Sequence, residues 1–180
     1  MGRTVFVFFV IFPLFSLCQC LDGDCQDGQG KYKFKNGTYV GLFVDGNLGG
    51  QGVFSAKGGY SYDGQWLNGL KSGEGVEVIR KSLTYQGNFE NNLRQGVGSA
   101  MLSDTKHARD INYVGEWESG AICGQGELTY YREVRYGREK VLEKNHLKGS
   151  FVNGVFQGRQ TSPYLDELGW EPFGLKMEDF

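Results

Sequence analysis

The stretch Tyr62-Asp63-Gly64-Gln65-Trp66-Leu67-Asn68-Gly69-Leu70-Lys71-Ser72-Gly73-Glu74-Gly75 decides the fold, because its residue types return at the same offsets along the chain. Tyrosine, glycine, an aromatic residue and three more glycines stand at offsets 0, 2, 4, 7, 11 and 13. One copy earlier these are Tyr39, Gly41, Phe43, Gly46, Gly50 and Gly52. Later copies read Tyr85, Gly87, Phe89, Gly96 and Gly98, with Asn92 in the fourth slot, and Tyr113, Gly115, Trp117, Gly120, Gly124 and Gly126. A degraded fifth copy keeps Gly149, Phe151, Gly154 and Gly158 but has Leu147 and Gln160 at its ends; Gly28-x-Gly30 is a leading half-copy. Copy starts lie 23, 23, 28 and 34 residues apart, and the added length falls in the polar segments 103–110 and 131–145. Self-similarity at such a period marks a repeat architecture, with insertions held in loops on one face.

Within a copy the local signals are those of strands. Val76-Glu77-Val78-Ile79 and Leu83-Thr84-Tyr85-Gln86-Gly87-Asn88-Phe89 alternate with a period of two and are rich in β-branched and aromatic residues. Asn36-Gly37, Lys57-Gly58-Gly59 and Arg80-Lys81-Ser82 read as the hairpin turns between them. Tyrosine, the second glycine and the aromatic residue at offsets 0, 2 and 4 share one face of a strand. The glycine between two aromatics admits close packing, and the later glycines supply positive φ where one hairpin hands over to the next.

The pattern resembles the MORN repeat, Y-x-G-x-[WF]-x-x-G-x-x-x-G-x-G, over about residues 28–160. The resemblance implies an all-β fold: successive β-hairpins stacked into an elongated, twisted antiparallel sheet. Asn92 departs from the pattern but tolerates the left-handed region, and the loss at Leu147 and Gln160 suits a terminal, capping repeat. In the family the repeats form a non-catalytic segment linked to membrane attachment, assembly or partner binding, so the resemblance implies no enzyme activity.

Residues 1–20 read as a secretory signal peptide: Arg3, an apolar run over 5–17 broken by Pro13 and Ser16, then Cys18 and Cys20 at the −3 and −1 positions of a cut after Cys20. At ~1.5 Å per residue the run spans about 20 Å, short of a ~30 Å hydrocarbon core. An uncleaved N-terminal membrane anchor is the alternative. Residues 21–30 follow as a leader with the half repeat, 31–160 as the repeat domain and 161–180 as a tail. In the tail Ser162-Pro163 starts a short helix, Leu165, Leu168 and Trp170 give it an apolar side, and Glu171-Pro172 stops it, so it can cap the open end of the sheet.

Glycine makes up 29 of 180 residues, against an average near ~7%. Aromatics at 14% and only three prolines exclude disordered and collagen-like chains. A formal charge of −2 argues against a nucleic-acid binder. Because Gly-x-Gly recurs between strands in every full copy, it is a structural period and not the single phosphate loop that precedes a helix. The acidic leader Asp22–Gly28 lacks the sixth-position glycine and twelfth-position glutamate of a calcium loop. His107 and His146 share no ligand spacing, and Glu116 and Glu118 flank Trp117 as an outer face, so neither a metal nor a catalytic constellation is expected.

Three candidate features remain. Asn36-Gly37-Thr38 is an N-glycosylation sequon on an expected turn. After a cut at Cys20, Cys25 and Cys123 are left too far apart to pair within one chain, which makes them candidates for an intermolecular disulfide, Cys25 the better one for a homodimer. A cut before Cys20 would allow a local Cys20–Cys25 bridge instead. Phe43, Trp66, Phe89, Trp117 and Phe151 form a ladder that either packs on the tyrosines of the next hairpin or lines a groove for a ligand. The basic residues Arg132, Arg135, Arg138, Lys140 and Lys144 mix with Glu133, Glu139 and Glu143 and read as a solvated loop or long hairpin. The expectation is a secreted or secretory-pathway scaffold without cofactors that binds a protein partner through its sheet face. The alternative is a membrane-associated module for phospholipid head groups.

Overall fold

In each copy the residues at offsets 6 and 7 turn the chain: Asp45-Gly46, Asn68-Gly69, Asn91-Asn92, Ser119-Gly120 and Asn153-Gly154. All have φ between 48° and 85°. Two successive residues of positive φ make a type I′ turn, whose twist matches that of the strands it joins. Asn92 at φ 71° does the work of the missing glycine. The motif glycine at offset 7 thus sits inside a hairpin and not between hairpins.

The computed structural model describes residues 19–103 and 109–158. Its strands are β1 (Gln19–Gly23), β2 (Gly28–Lys33), β3 (Gly37–Val44), β4 (Asn47–Ala56), β5 (Tyr60–Leu67), β6 (Leu70–Ile79), β7 (Leu83–Glu90), β8 (Leu93–Leu102), β9 (Arg109–Glu118), β10 (Ala121–Tyr136), β11 (Glu139–Val152) and β12 (Val155–Phe156). They form one open antiparallel sheet in which spatial order equals sequence order. Turns at Lys57-Gly58-Gly59 and Arg80-Lys81-Ser82 join copies as expected. The connection of β2 to β3 differs: residues 34–36 make the turn, Phe34 N–H donates to the Gly37 carbonyl at 2.8 Å, and Gly37 already pairs opposite Ala56 in the ladder. The insertion at 131–145 is the long hairpin: β10 and β11 stay paired to Tyr136↔Glu139, past the last β9 partner at Tyr131↔Arg109. The expected capping helix over 161–180 lies outside the described residues.

Register explains the glycines. Gly23, Gly30, Gly41, Gly52, Gly64, Gly75, Gly87, Gly98, Gly115, Gly126 and Gly149 are successive cross-strand partners from β1 to β11. They form an unbroken row without side chains across the sheet. Tyr39, Tyr62, Tyr85 and Tyr113 each lie over the two row glycines of their own copy, and a Cβ on any of those eight would overlap the ring. Each hydroxyl reaches past the row and donates to the carbonyl three residues on: Leu42 and Gln65 at 3.0 Å, Asn88 at 3.0 Å and Glu116 at 3.2 Å.

The aromatic rungs complete this layer. Tyr39 meets Phe43 of its own copy and Trp66 of the next edge-on, with centroids 5.2 and 5.5 Å apart. The arrangement repeats as Phe89–Tyr62–Trp66, Phe89–Tyr85–Trp117 and Phe151–Tyr113–Trp117. The Trp66 and Trp117 indoles donate to the row carbonyls of Gly52 and Gly98 at 3.0 and 3.3 Å. Each edge-to-face pair adds about 0.5–1.5 kcal/mol beyond its buried area. Burial raises the phenol pKa of Tyr39 and Tyr85 to about 12. Turns are stitched as well: the amides of Gly69, Asn92, Gly120 and Gly154 donate to Leu48, Lys71, Arg94 and Ile122 of the copy before.

A methyl group under a seated ring is overpacking, which costs about 1–3 kcal/mol. Gly75→Ala is therefore expected to lower the unfolding free energy by that amount in urea titrations. Gly96→Asn, at φ 69° with nothing near its Cβ direction, should lose less.

Candidate functional site

The second residue after each type I′ turn occupies one equivalent position: Leu48, Lys71, Arg94, Ile122 and Phe156. The cross-strand partner of the motif tyrosine gives another: Phe54, Glu77, Ala100 and Leu128. Apolar side chains fill these positions in the outer copies, whereas the middle copies place Lys71, Glu77 and Arg94 there. Pairing puts Glu77 opposite both Tyr62 and Tyr85, on the ring face. Val76 and Val78 consequently face outward. Alternation sets the period of this segment but not its phase.

The three charged side chains are almost wholly buried, at 1%, 3% and 5% exposure. Lys71 Nζ pairs with Glu77 Oε1. Arg94 grips Glu77 Oε2 through Nε at 3.2 Å and Nη2 at 2.7 Å. The Tyr60 hydroxyl donates to Glu77 Oε1 at 3.1 Å and accepts from Lys71 Nζ at 3.3 Å. Rings flank both cations: Lys71 Nζ lies 4.9 Å from the Phe89 centroid, and the Arg94 guanidinium 5.1 Å from that of Tyr85. Burial pushes the Glu77 carboxyl up, but Lys71 and Arg94 outweigh it and hold the group below the usual glutamate range. Burial also draws the Lys71 ammonium below the lysine range, against the pull of Glu77.

Beside this cluster the sheet opens a pocket of 220 Å³. Phe34, Leu48, Phe54, Tyr60 and Trp66 form its apolar walls, and Lys71 brings the charged cluster to its lining. Asn36 and Asn92 contribute polar atoms. The volume is below the ~300–1,000 Å³ of small-molecule sites, and suits an inserted side chain.

Of the residues singled out in the sequence, all five rungs are buried; Phe43, Trp66, Phe89 and Trp117 contact the tyrosine of their own copy, and Trp66, Phe89, Trp117 and Phe151 that of the copy before. Only Trp66 also lines the pocket. Asn36 is exposed in the 34–36 turn. Cys25 is bonded to Cys20, with Cα atoms 6.0 Å apart, which is the local bridge that a cut before Cys20 allows and not a bridge between chains. Cys123 is free and half-buried, and burial followed by the charges of Glu118 and Glu116 pushes its thiol pKa up. In the acidic leader, Asp24 accepts backbone bonds from Gln26 and Asp27 at 2.8 and 3.0 Å, and Asp27 accepts one from Asp45 at 2.9 Å. The charged cluster and the pocket went unseen in the sequence, although a lysine and a glutamate in otherwise apolar repeat positions are a legible signal.

Removing one partner of a buried ion pair costs about 3–5 kcal/mol, while exchanging all members for apolar groups is often neutral. Glu77→Leu alone should therefore lower the urea unfolding free energy by about 3–5 kcal/mol. The triple exchange of Lys71, Glu77 and Arg94 for leucine, as at Leu48 and Leu128, should restore most of it. A carboxyl depressed by folding stabilises above its unfolded pKa and loses that contribution as pH falls through the folded value. Native stability should drop with acid below the ordinary glutamate range, by a component that the triple variant lacks.

A search of curated proteins finds no match to the chain. A family model described as the MORN repeat matches residues 26–38, 39–60, 62–81, 85–102 and 113–132. The first match is the leading half-copy, and the next four are the full copies whose tyrosines ride on the glycine row. With half of its length in matched repeats and their register continuous from strand to strand, this chain belongs to the MORN-repeat family.

Proposed function

We propose that this chain is a non-catalytic interaction scaffold of the secretory pathway or the extracellular space, and that it binds a protein partner through the ring-bearing face of its sheet. The pocket beside Lys71 carries the proposal. Interfaces draw most of their energy from a few large side chains seated in well-packed, desolvated pockets. This pocket has aromatic walls already fixed by the ring layer, a size that suits an inserted side chain and a buried cation at its lining. A partner segment bearing an aromatic or aliphatic anchor beside a carboxylate fits it. Exposed Asn36 in its sequon is the glycosylation site of the secreted form, at the edge of the same pocket.

Panning a displayed random-peptide library on the secreted protein tests the partner reading. Enriched peptides should share one anchor and an acidic neighbour. Their affinity should fall at least about tenfold for the double variant Phe34→Ala/Phe54→Ala, the loss of about 1.4 kcal/mol or more expected at a hot spot. Peptides that bind both proteins equally would overturn it. Flotation with phosphoinositide vesicles that depends on Phe34 and Phe54 would replace the protein partner by a lipid head group. For Asn36, the secreted protein should lose mass on treatment with peptide-N-glycosidase, and Asn36→Gln should abolish the change.

A further inference from the structure

We propose that the chain is cut between Cys18 and Gln19, not after Cys20, and that the Gln19 amine so released closes on its own side chain, leaving pyroglutamate at the head of β1. The inference rests on the secretory reading above. Its structural ground is that the sheet uses Cys20. Gln19 pairs with Lys33 and Cys20 with Tyr32 in the β1–β2 ladder. Cys20 is bonded to Cys25 at a Cα separation of 6.0 Å, within the range a relaxed disulfide requires. The residues that follow Cys25 are tied into the first full repeat, because Gly46 N–H donates to the Gln26 carbonyl and Asp45 N–H to the Asp27 carboxylate, each at 2.9 Å. A cut after Cys20 would discard one sulfur of that bond and two of the five residues of β1, leaving Cys25 as a second free thiol beside Cys123.

The sequence leaves few other frames. Signal peptidase requires small residues at −3 and −1. A cut after Ser16 puts Leu14 at −3, a cut after Leu17 puts leucine at −1, and a cut after Gln19 puts Leu17 at −3 and glutamine at −1. Of the frames that end at or before Cys20, two remain: Ser16 and Cys18, or Cys18 and Cys20. Only the first keeps Cys20 in the mature chain. It also leaves the apolar residues 5–12 as the hydrophobic region, ended by Pro13, within the ~7–15 residues such regions span.

The new N-terminal residue then has chemistry of its own. Gln19 is exposed. Its α-amino nitrogen can attack its own Cδ; the N–Cδ bond forms, the Cδ–Nε2 bond breaks, and the side-chain nitrogen departs as ammonia with a proton from the amine. The product is a five-membered lactam without the N-terminal positive charge. No oxidant or reductant takes part. The strand that edges the sheet would thus begin with a neutral, blocked residue that aminopeptidases cannot remove one step at a time.

The test is to secrete the full-length chain, with no N-terminal tag, from a eukaryotic host and to map its unreduced tryptic peptides. The expected first peptide is 19–31, internally crosslinked through Cys20 and Cys25, lighter by one ammonia than the free-amine form, and refractory to Edman degradation until treated with pyroglutamyl aminopeptidase. An N-terminus at Leu21 would overturn the proposal while leaving secretion intact. An open, uncyclised Gln19 would overturn the lactam and keep the cut. A chain retained in cells with its first residues uncut would overturn the secretory reading itself and the proposal with it.

Discussion

A tyrosine ring can lie against a β-sheet only where the backbone beneath it carries no side chains, and this fold depends on meeting that condition strand after strand. The glycine row from Gly23 to Gly149 provides the bare surface. The four motif tyrosines occupy it, with hydroxyls bonded to carbonyls beyond the row. The rungs close the gap between one tyrosine and the next. Among the described residues no second layer covers the core face of the sheet, so the side chains of that face cover one another. The motif is the set of residues that makes this self-covering geometry possible: bare backbone, a flat ring to fill it, a second ring set edge-on, and type I′ turns that keep the strands in register.

Within that frame the middle copies bury Lys71, Glu77 and Arg94 where their neighbours place the half-buried Leu48 and Phe54 and the buried Ile122 and Leu128. Buried ion pairs are weak evidence for stability, since desolvation offsets much of the attraction. An array that could satisfy these positions with leucine, and does so in other copies, has no need of them for folding alone. They also make the middle copies chemically distinct in an otherwise repetitive sheet, beside the described pocket. Lys71 shares β6 with Glu77, whereas Arg94 reaches it from β8 of the next copy, so mispaired hairpins would strip Glu77 of one of its two cations and the cluster also labels the correct alignment.

Much of the fold was legible because the period carries it: tyrosine, glycine and aromatic at even offsets fix a shared face, and four copies repeat the statement in full. Less legible was anything that depends on phase or on distant pairing. Val76-Glu77-Val78 alternates whichever way it faces, and only the pairing of Glu77 with Tyr62 and Tyr85 turns the glutamate inward. Asn36-Gly37 has the composition of a tight turn, yet pairing with Ala56 draws Gly37 into β3 and moves the turn to 34–36. Cys25 looked isolated because its partner was assigned to the discarded segment. The pocket joins residues from 34 to 92, a convergence no local pattern announces.

The order of the strands has a mechanical meaning. Because each strand pairs only with those before and after it in sequence, tension applied between the β1 and β12 ends acts across the ladders in series. Hydrogen bonds then open a strand at a time, as in a zipper. Each opened strand also uncovers a ring, whose neighbour loses one of its two edge contacts. The Cys20–Cys25 bond ties β1 to the turn that leads into β2, whereas at the other end of the described residues β12 holds by two residue pairs, Phe151↔Phe156 and Val152↔Val155. Pulled at both ends, such a sheet yields from β12 inward and lengthens in steps of one strand, an extensible tether with one reinforced end.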